Sequence, residues 1–107
     1  GMEMLLMRWG CNVMLAEDLQ QAVEQIRDHG EPGLTLVDYH LSDQSNGLDV
    51  MEHLQKLVGE KLPAIVITAD RSPELEERVR EQAFGLLRKP VKPAALRALM
   101  TNTLKNL

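Results

Sequence analysis

The apolar residues of the chain follow two spacings in turn, one typical of helices and one typical of strands. Helical spacing is clearest between Leu19 and Ile26, where apolar residues recur at positions i, i+3, i+4 and i+7. Asp18 precedes this segment as a predicted helix cap, and Gly30 follows it as a predicted stop. Short apolar runs lie between the helical segments, and this alternation predicts an α/β fold.

The pattern predicts helices and strands in strict alternation, beginning and ending with a helix. The predicted helices are Met4–Trp9, the segment between Asp18 and Gly30, about Leu48–Val58, about Pro73–Phe84, and one that begins near Pro93. The predicted strands are Cys11–Leu15, Leu34–Val37, Ala64–Thr68 and Leu86–Arg88. The third of these strands is apolar on both faces, which is typical of a parallel sheet covered by helices on both sides.

The composition fits one small globular domain, which we assign to residues 2–107 because Gly1 resembles the remnant of a cleaved purification tag. No apolar run is long enough to cross a bilayer, so we expect no membrane contact. The net charge is −4 and the basic residues are scattered, so nucleic acid is not an expected partner. The single cysteine, Cys11, cannot form an internal disulfide, which fits a cytoplasmic location.

Three polar residues lie at the carboxyl ends of three successive predicted strands: Asp38, Thr68 and Lys89. That edge of an open α/β sheet is where ligands bind. A carboxylate, a hydroxyl and an ammonium meeting there would suit phosphoryl transfer, with Asp38 as nucleophile, Thr68 as hydrogen-bond donor and Lys89 neutralising phosphoryl oxygens. The alternative for each residue alone is a turn-forming aspartate, a strand-end hydroxyl and a solvated lysine.

Several stretches around these residues resemble the receiver domains of response regulators, the phosphate-accepting modules of bacterial two-component signalling. The stretches are Leu34–Leu41, Gly47–Asp49, Ile65–Ala69 and Leu87–Pro90. The resemblance implies a flavodoxin-like, doubly wound parallel sheet with the strand order 2-1-3-4-5. It also implies that Asp38 is phosphorylated, that Thr68 is the switch hydroxyl and that Lys89 binds the phosphoryl group.

The chain departs from this family pattern at its amino-terminal end. A receiver begins with an apolar strand that ends in acidic residues, and the sequence starts inside the helix that follows, so we expect the first strand and the acidic pair to be missing. The resemblance implies Mg²⁺ bound by Asp38, by the backbone carbonyl of His40 and by the acidic pair after the first strand, and we expect weak binding here because that pair is missing. Glu17 and Asp18 are an alternative acidic pair, although the helix cap is the favoured interpretation of Asp18.

The function implied by the resemblance is a phosphoacceptor and not an enzyme, with a histidine kinase or a phosphotransfer domain as the donor of the phosphoryl group. The amino-acid sequence of Lys89–Leu96 favours the terminal receiver of a hybrid sensor kinase as the source of the chain. One alternative is a degenerate receiver that docks to proteins without being phosphorylated. Another is an aspartyl phosphatase of the haloacid-dehalogenase type, which would need an aspartate where His40 stands.

Loss of the first strand would open the sheet beside Leu34–Val37. Either Cys11–Leu15 pairs directly with that strand or a second chain supplies the pairing, because an open apolar strand edge is a template for association. We expect the second outcome, in the form of a homodimer.

Overall fold

The computed structural model describes residues 2–12, 18–40, 46–59 and 62–105 and shows a parallel sheet with helices on both faces. Its helices are α1 (Met2–Arg8), α2 (Leu19–His29), α3 (Gly47–Val58), α4 (Pro73–Glu81) and α5 (Pro93–Lys105). Its strands are β1 (Thr35–Asp38), β2 (Ala64–Thr68) and β3 (Gly85–Arg88). In this part of the chain the strands form one sheet in the order β1-β2-β3, so the α/β prediction is confirmed.

The strands run parallel and end together. Asp38 at the end of β1 lies opposite Ile67, and Thr68 at the end of β2 lies opposite Arg88 of β3. All residues of β2 are buried, as predicted for a central strand covered on both faces. The carboxyl ends of the strands therefore form one edge at which their polar residues converge.

Two apolar clusters cover the two faces of the sheet, because successive strand side chains point to opposite sides. On one face Val37 and Val66 pack with side chains of α2, α3 and α4. On the other face Ile65 and Ile67 pack with side chains of α1 and α5. The sheet is thus held between two helical layers. None of the helices in the described ranges is long and apolar enough to span a bilayer.

Side-chain caps fix where three of the helices begin. The Asp18 carboxylate accepts the Gln21 N–H at 2.8 Å, the Asn46 side chain accepts the Asp49 N–H at 2.9 Å, and the Ser72 hydroxyl accepts the Leu75 N–H at 3.3 Å. Each cap satisfies a backbone donor that the first helical turn leaves without an intrahelical partner. The predicted capping role of Asp18 is therefore confirmed.

The predicted bounds of the first helix and the predicted start of the first strand need correction. α1 begins at Met2 and ends at Arg8, not at Trp9, and Gly10 follows with φ of 86°, a conformation that side-chain-bearing residues rarely adopt. Cys11 and Asn12 are not part of a strand, and the remainder of the predicted strand Cys11–Leu15 lies outside the described residues.

The predicted end of α4 is also wrong. The helix stops at Glu81 and not at Phe84, because Ala83 adopts φ of 60°, which no right-handed helix accommodates. The turn directs Phe84 into the core, where it is buried. Burial of an aromatic ring outweighs the moderate strain of one residue in the left-handed region.

A close approach between Gly47 and β1 holds the start of α3 against the end of that strand. A Cβ atom on Gly47 would lie 2.6 Å from the Asp38 carbonyl oxygen and 2.8 Å from Val37 Cγ2. The Gly47 N–H also donates to the Tyr39 carbonyl at 2.8 Å. Only glycine allows this backbone contact, and the contact fixes the backbone of Asp38.

We expect Gly47→Ala to destabilise the domain by about 1–3 kcal/mol, because the added methyl group must displace backbone atoms of β1. The measurement is urea unfolding followed by circular dichroism. Gly33→Ala is the control, because a Cβ atom there meets nothing within 4 Å, and it should change the free energy of unfolding by less than about 1 kcal/mol. Equal losses in the two variants would contradict the close-approach explanation.

Candidate functional site

Asp38 and Lys89 meet at the carboxyl edge of the sheet. The Lys89 ammonium nitrogen lies 2.7 Å from Asp38 Oδ2 and donates a hydrogen bond to it. The Lys89 side chain is 44% exposed and the Asp38 side chain is 40% exposed, so a partner molecule can reach the pair from solvent. The structure thus brings together two of the residues that the sequence placed at this edge.

The strand ladder positions both members of the pair. The Tyr39 N–H donates to the Ile67 carbonyl at 2.9 Å, which extends the β1–β2 ladder past Asp38. The Lys89 N–H donates to the Thr68 carbonyl at 2.9 Å, which extends the β2–β3 ladder in the same way, and the Lys89–Pro90 peptide bond is cis. Both side chains therefore project from backbone that is already hydrogen-bonded.

The second oxygen of Asp38 is held by the backbone. Asp38 Oδ1 accepts the His40 N–H at 3.1 Å. The His40 side chain is exposed, and its ring meets the Tyr39 ring edge to face with 4.9 Å between the ring centroids. The carboxylate is oriented by a backbone donor on one oxygen and an ammonium on the other. Its Oδ2 is the oxygen that faces the cation.

Thr68 lies at the same edge and is fully buried. Its hydroxyl oxygen accepts the Asp70 N–H at 2.9 Å, and the Asp70 carboxylate accepts the Ser72 N–H at 2.8 Å. These local bonds shape the segment that leads into α4. The Thr68 hydroxyl accepts the Asp70 N–H through a lone pair, so the hydroxyl hydrogen can still be donated to another acceptor.

The sequence and the geometry agree with a family comparison. The family model of the response regulator receiver domain matches residues 1–101. The chain belongs to this family. A curated relative, the phyllosphere-induced regulator PhyR of Methylorubrum extorquens, is 36% identical over 104 residues, which are 96% of this chain and 38% of the relative. This receiver therefore spans less than half of that relative's length.

Solved structures show the same fold. The receiver domain of NtrX from Brucella abortus superposes with a TM-score of 0.83 at 24% identity, covering 96% of this chain and 86% of the other. A CheY-like receiver domain protein from Methanospirillum hungatei gives 0.81 at 23% identity, covering 97% and 82%. The flavodoxin-like fold predicted from the resemblance is confirmed, and β1-β2-β3 match the last three strands of the predicted order.

The described residues of this receiver do not fit a tightly bound divalent cation. Within them, no group of three or more His, Cys, Asp or Glu side chains is arranged to hold a metal ion. The Asp18 carboxylate is occupied as a helix cap, and Glu17 lies outside the described ranges. Oδ2 of Asp38 already faces an ammonium. Mg²⁺ requires oxygen ligands that balance its charge, and Asp38 with the His40 carbonyl supplies too few.

Arg88 is a residue of the site region that the sequence analysis missed. Its guanidinium donates to the Asp70 carbonyl at 2.9 Å and to the Glu76 carboxylate at 3.4 Å. It thereby connects the end of β3 with both the segment after Thr68 and the first turns of α4. Strand alternation was the available signal, since it places Arg88 on the same face as Leu86, which packs with the α4 side of the sheet.

We expect Arg88→Met to loosen the segment between Thr68 and α4, because the Asp70 carbonyl loses its charged donor. Hydrogen exchange of the Asp70 and Ser72 amides should accelerate, and the free energy of unfolding should fall by about 0.5–1.5 kcal/mol.

Arg80→Met is the matched control for this experiment. Arg80 also pairs with Glu76, at 3.8 Å, but its side chain is 75% exposed and it bonds no carbonyl of the segment. It should change stability by less than about 0.5 kcal/mol and leave the exchange rates unaltered. Acceleration in both variants would mean that loss of charge near Glu76, and not the carbonyl contact, is responsible.

Proposed function

We propose that this receiver accepts a phosphoryl group on Asp38 from the phosphohistidine of a histidine kinase or a phosphotransfer domain. The observation that supports this most is the Asp38–Lys89 contact of 2.7 Å at the ligand-binding edge of the sheet. It places a nucleophilic oxygen and a mobile cation side by side, partly open to solvent. The family consists of signalling modules, so the transfer is part of signalling and not of metabolic turnover.

The proposed step exchanges one phosphorus bond for another. Oδ2 of Asp38 attacks the phosphorus atom in line with the departing imidazole nitrogen, the P–N bond breaks, and a P–O bond forms. The electron pair of the broken bond stays with the imidazole of the donor. The product on this chain is an aspartyl phosphate, and its charge is greater than that of the original carboxylate.

The side chains around Asp38 have separate roles in the proposal. The His40 N–H keeps Oδ1 in place, so that Oδ2 is presented to the donor. The Lys89 ammonium leaves Oδ2 and pairs with the phosphoryl oxygens, which neutralises part of the added charge. Thr68 donates its remaining hydroxyl hydrogen to a phosphoryl oxygen, while its lone pair holds Asp70.

A second candidate function is a receiver that docks to proteins without phosphorylation. The lack of a fitting metal site among the described residues favours it, whereas the intact Asp38–Lys89 pair favours phosphotransfer.

The source of the chain is also a proposal. Lys89–Leu96 favours a hybrid sensor kinase, whereas the curated relative is named a regulator. A cytoplasmic location fits either source.

We expect Asp38→Asn to abolish labelling of the protein by a phosphorylated histidine kinase, because an amide cannot act as the phosphoacceptor. The measurement is transfer of radioactive phosphate from the cognate kinase, with the fold checked by circular dichroism. Asp28→Asn removes an exposed carboxylate from α2 and should leave labelling unchanged. Full labelling of the Asp38 variant would exclude the assignment.

We also expect weak Mg²⁺ binding by these 107 residues, because Asp38 and the His40 carbonyl supply little negative charge. Calorimetric titration with MgCl₂ should give no saturable, stoichiometric heat at micromolar protein concentrations. Tight binding that Asp38→Ala abolishes would contradict this expectation and would bring Glu17 or Asp18 back as ligands.

A further inference from the structure

The peptide group that joins Tyr39 to His40 is held at both ends. Its carbonyl oxygen accepts the Gly47 N–H at 2.8 Å, and its N–H donates to Asp38 Oδ1 at 3.1 Å. The peptide bond is trans and planar, so its carbonyl and its N–H point in opposite directions and turn together. A rotation at the Gly47 end therefore moves the donor that holds the Asp38 carboxylate.

This peptide group lies where the chain passes from the strand ladder to the start of α3. The Tyr39 N–H belongs to the β1–β2 ladder, because it donates to the Ile67 carbonyl at 2.9 Å. The Tyr39 carbonyl instead bonds Gly47, the first residue of α3. His40 then lies beside Asn46 in an antiparallel bridge. The backbone directly after Asp38 thus takes its orientation from the start of α3.

The body of α3 is a firm support for that contact. Its buried apolar side chains pack in one cluster with Val37 of β1, and they are Leu48, Val50, Met51 and Leu54. Buried side chains are packed as densely as in an organic crystal, which leaves them little room to move. The position of the first turn relative to β1 then depends on whether that turn stays closed.

Asn46 closes the first turn of α3. Its backbone is extended, and its side-chain oxygen accepts the Asp49 N–H at 2.9 Å. Gly47 lies inside the ring that this bond closes, so the direction of the Gly47 N–H depends on the cap. Asn46 is therefore linked to Asp38 through Gly47 and the Tyr39–His40 peptide group.

We propose that Asn46 is a positioning residue for phosphotransfer. Its cap holds the start of α3, the start of α3 holds the Tyr39–His40 peptide group, and that group holds Asp38 Oδ1 so that Oδ2 faces the donor. Asn46 acts through these other groups and is not a catalytic residue. The role rests on the proposed function of Asp38. The alternative is an ordinary helix cap that stabilises the domain without affecting the reaction.

The first test follows the His40 amide in the whole chain and needs no phosphoryl donor. Asn46→Ala removes the cap, so hydrogen exchange of the His40 amide, measured by NMR, should accelerate by about tenfold as its bond to Asp38 loosens. Asn46→Ser keeps a side-chain oxygen for the Asp49 N–H and should exchange within about twofold of the wild-type rate. Unchanged exchange in the alanine variant would overturn the proposal.

Gln55→Ala is the matched control near the other end of α3. The Gln55 side chain donates to the Leu62 carbonyl at 3.1 Å, so this variant also loses a hydrogen bond of the same helix. It should lower the thermal midpoint to a comparable extent and leave the exchange of the His40 amide unaltered. Equal acceleration in the two alanine variants would mean that lost stability is responsible, and it would overturn the positioning role.

The second test measures phosphorylation by mass spectrometry of the intact protein. The probe is phosphoramidate with MgCl₂ in excess, because this small molecule carries the P–N bond that the proposed step breaks. The P–O bond to Asp38 forms, and the nitrogen takes up a proton and leaves as ammonia. Asn46→Ala should react about tenfold more slowly than the wild type, because in-line attack depends on the placement of the nucleophile. Asn46→Ser and Gln55→Ala should react within about twofold of the wild-type rate.

The two tests separate this proposal from the proposed function. A wild type that accepts no phosphoryl group would count against phosphotransfer to Asp38 itself and would overturn the role of Asn46 with it, before any variant is compared. A reactive wild type matched in rate by Asn46→Ala would overturn the positioning role alone. Faster His40 exchange together with slower phosphorylation, both confined to Asn46→Ala, supports the proposal.

Discussion

The parallel ladder through β2 is the interaction on which the site depends. Asp38 ends β1 and Lys89 directly follows β3. These two strands lie on either side of β2 and are separated by roughly two strand spacings, or about 10 Å. A lysine side chain spans much of that distance and reaches Asp38 Oδ2 at 2.7 Å. The buried residues of β2 hold the ladder in register, so the apolar core determines the geometry of a polar site at its edge.

The same edge is connected to α4 by polar contacts that contribute modestly to stability. Arg88 connects the end of β3 with Asp70 and Glu76, and Arg78 of α4 lies 3.7 Å from Asp49 of α3. Ion pairs between exposed side chains contribute about 0–1 kcal/mol each. Their main effect is on orientation, because Arg88 contacts both Asp70 and Glu76 and so fixes the start of α4 relative to the segment that follows Thr68.

Much of the fold follows from local patterns, and part of the site does too. Apolar spacing with a period of 3.6 predicts α2–α5, short apolar runs predict β1–β3, and strand ends in a parallel sheet predict that Asp38 and Lys89 approach each other. The end of α4 does not follow, because burial of Phe84 overrides the helical pattern through Ala83. Strand alternation gives the face of the sheet on which Arg88 lies, but its contacts with Asp70 and Glu76 depend on where α4 packs, which no local pattern contains.

Several contacts hold the backbone and the side chain of Asp38 in place. The side chain faces Lys89, and the carbonyl oxygen lies against Gly47. The Tyr39 N–H continues the β1–β2 ladder past Asp38. Since in-line transfer depends on the placement of the nucleophile, these contacts determine how well Asp38 would be placed for the proposed phosphotransfer.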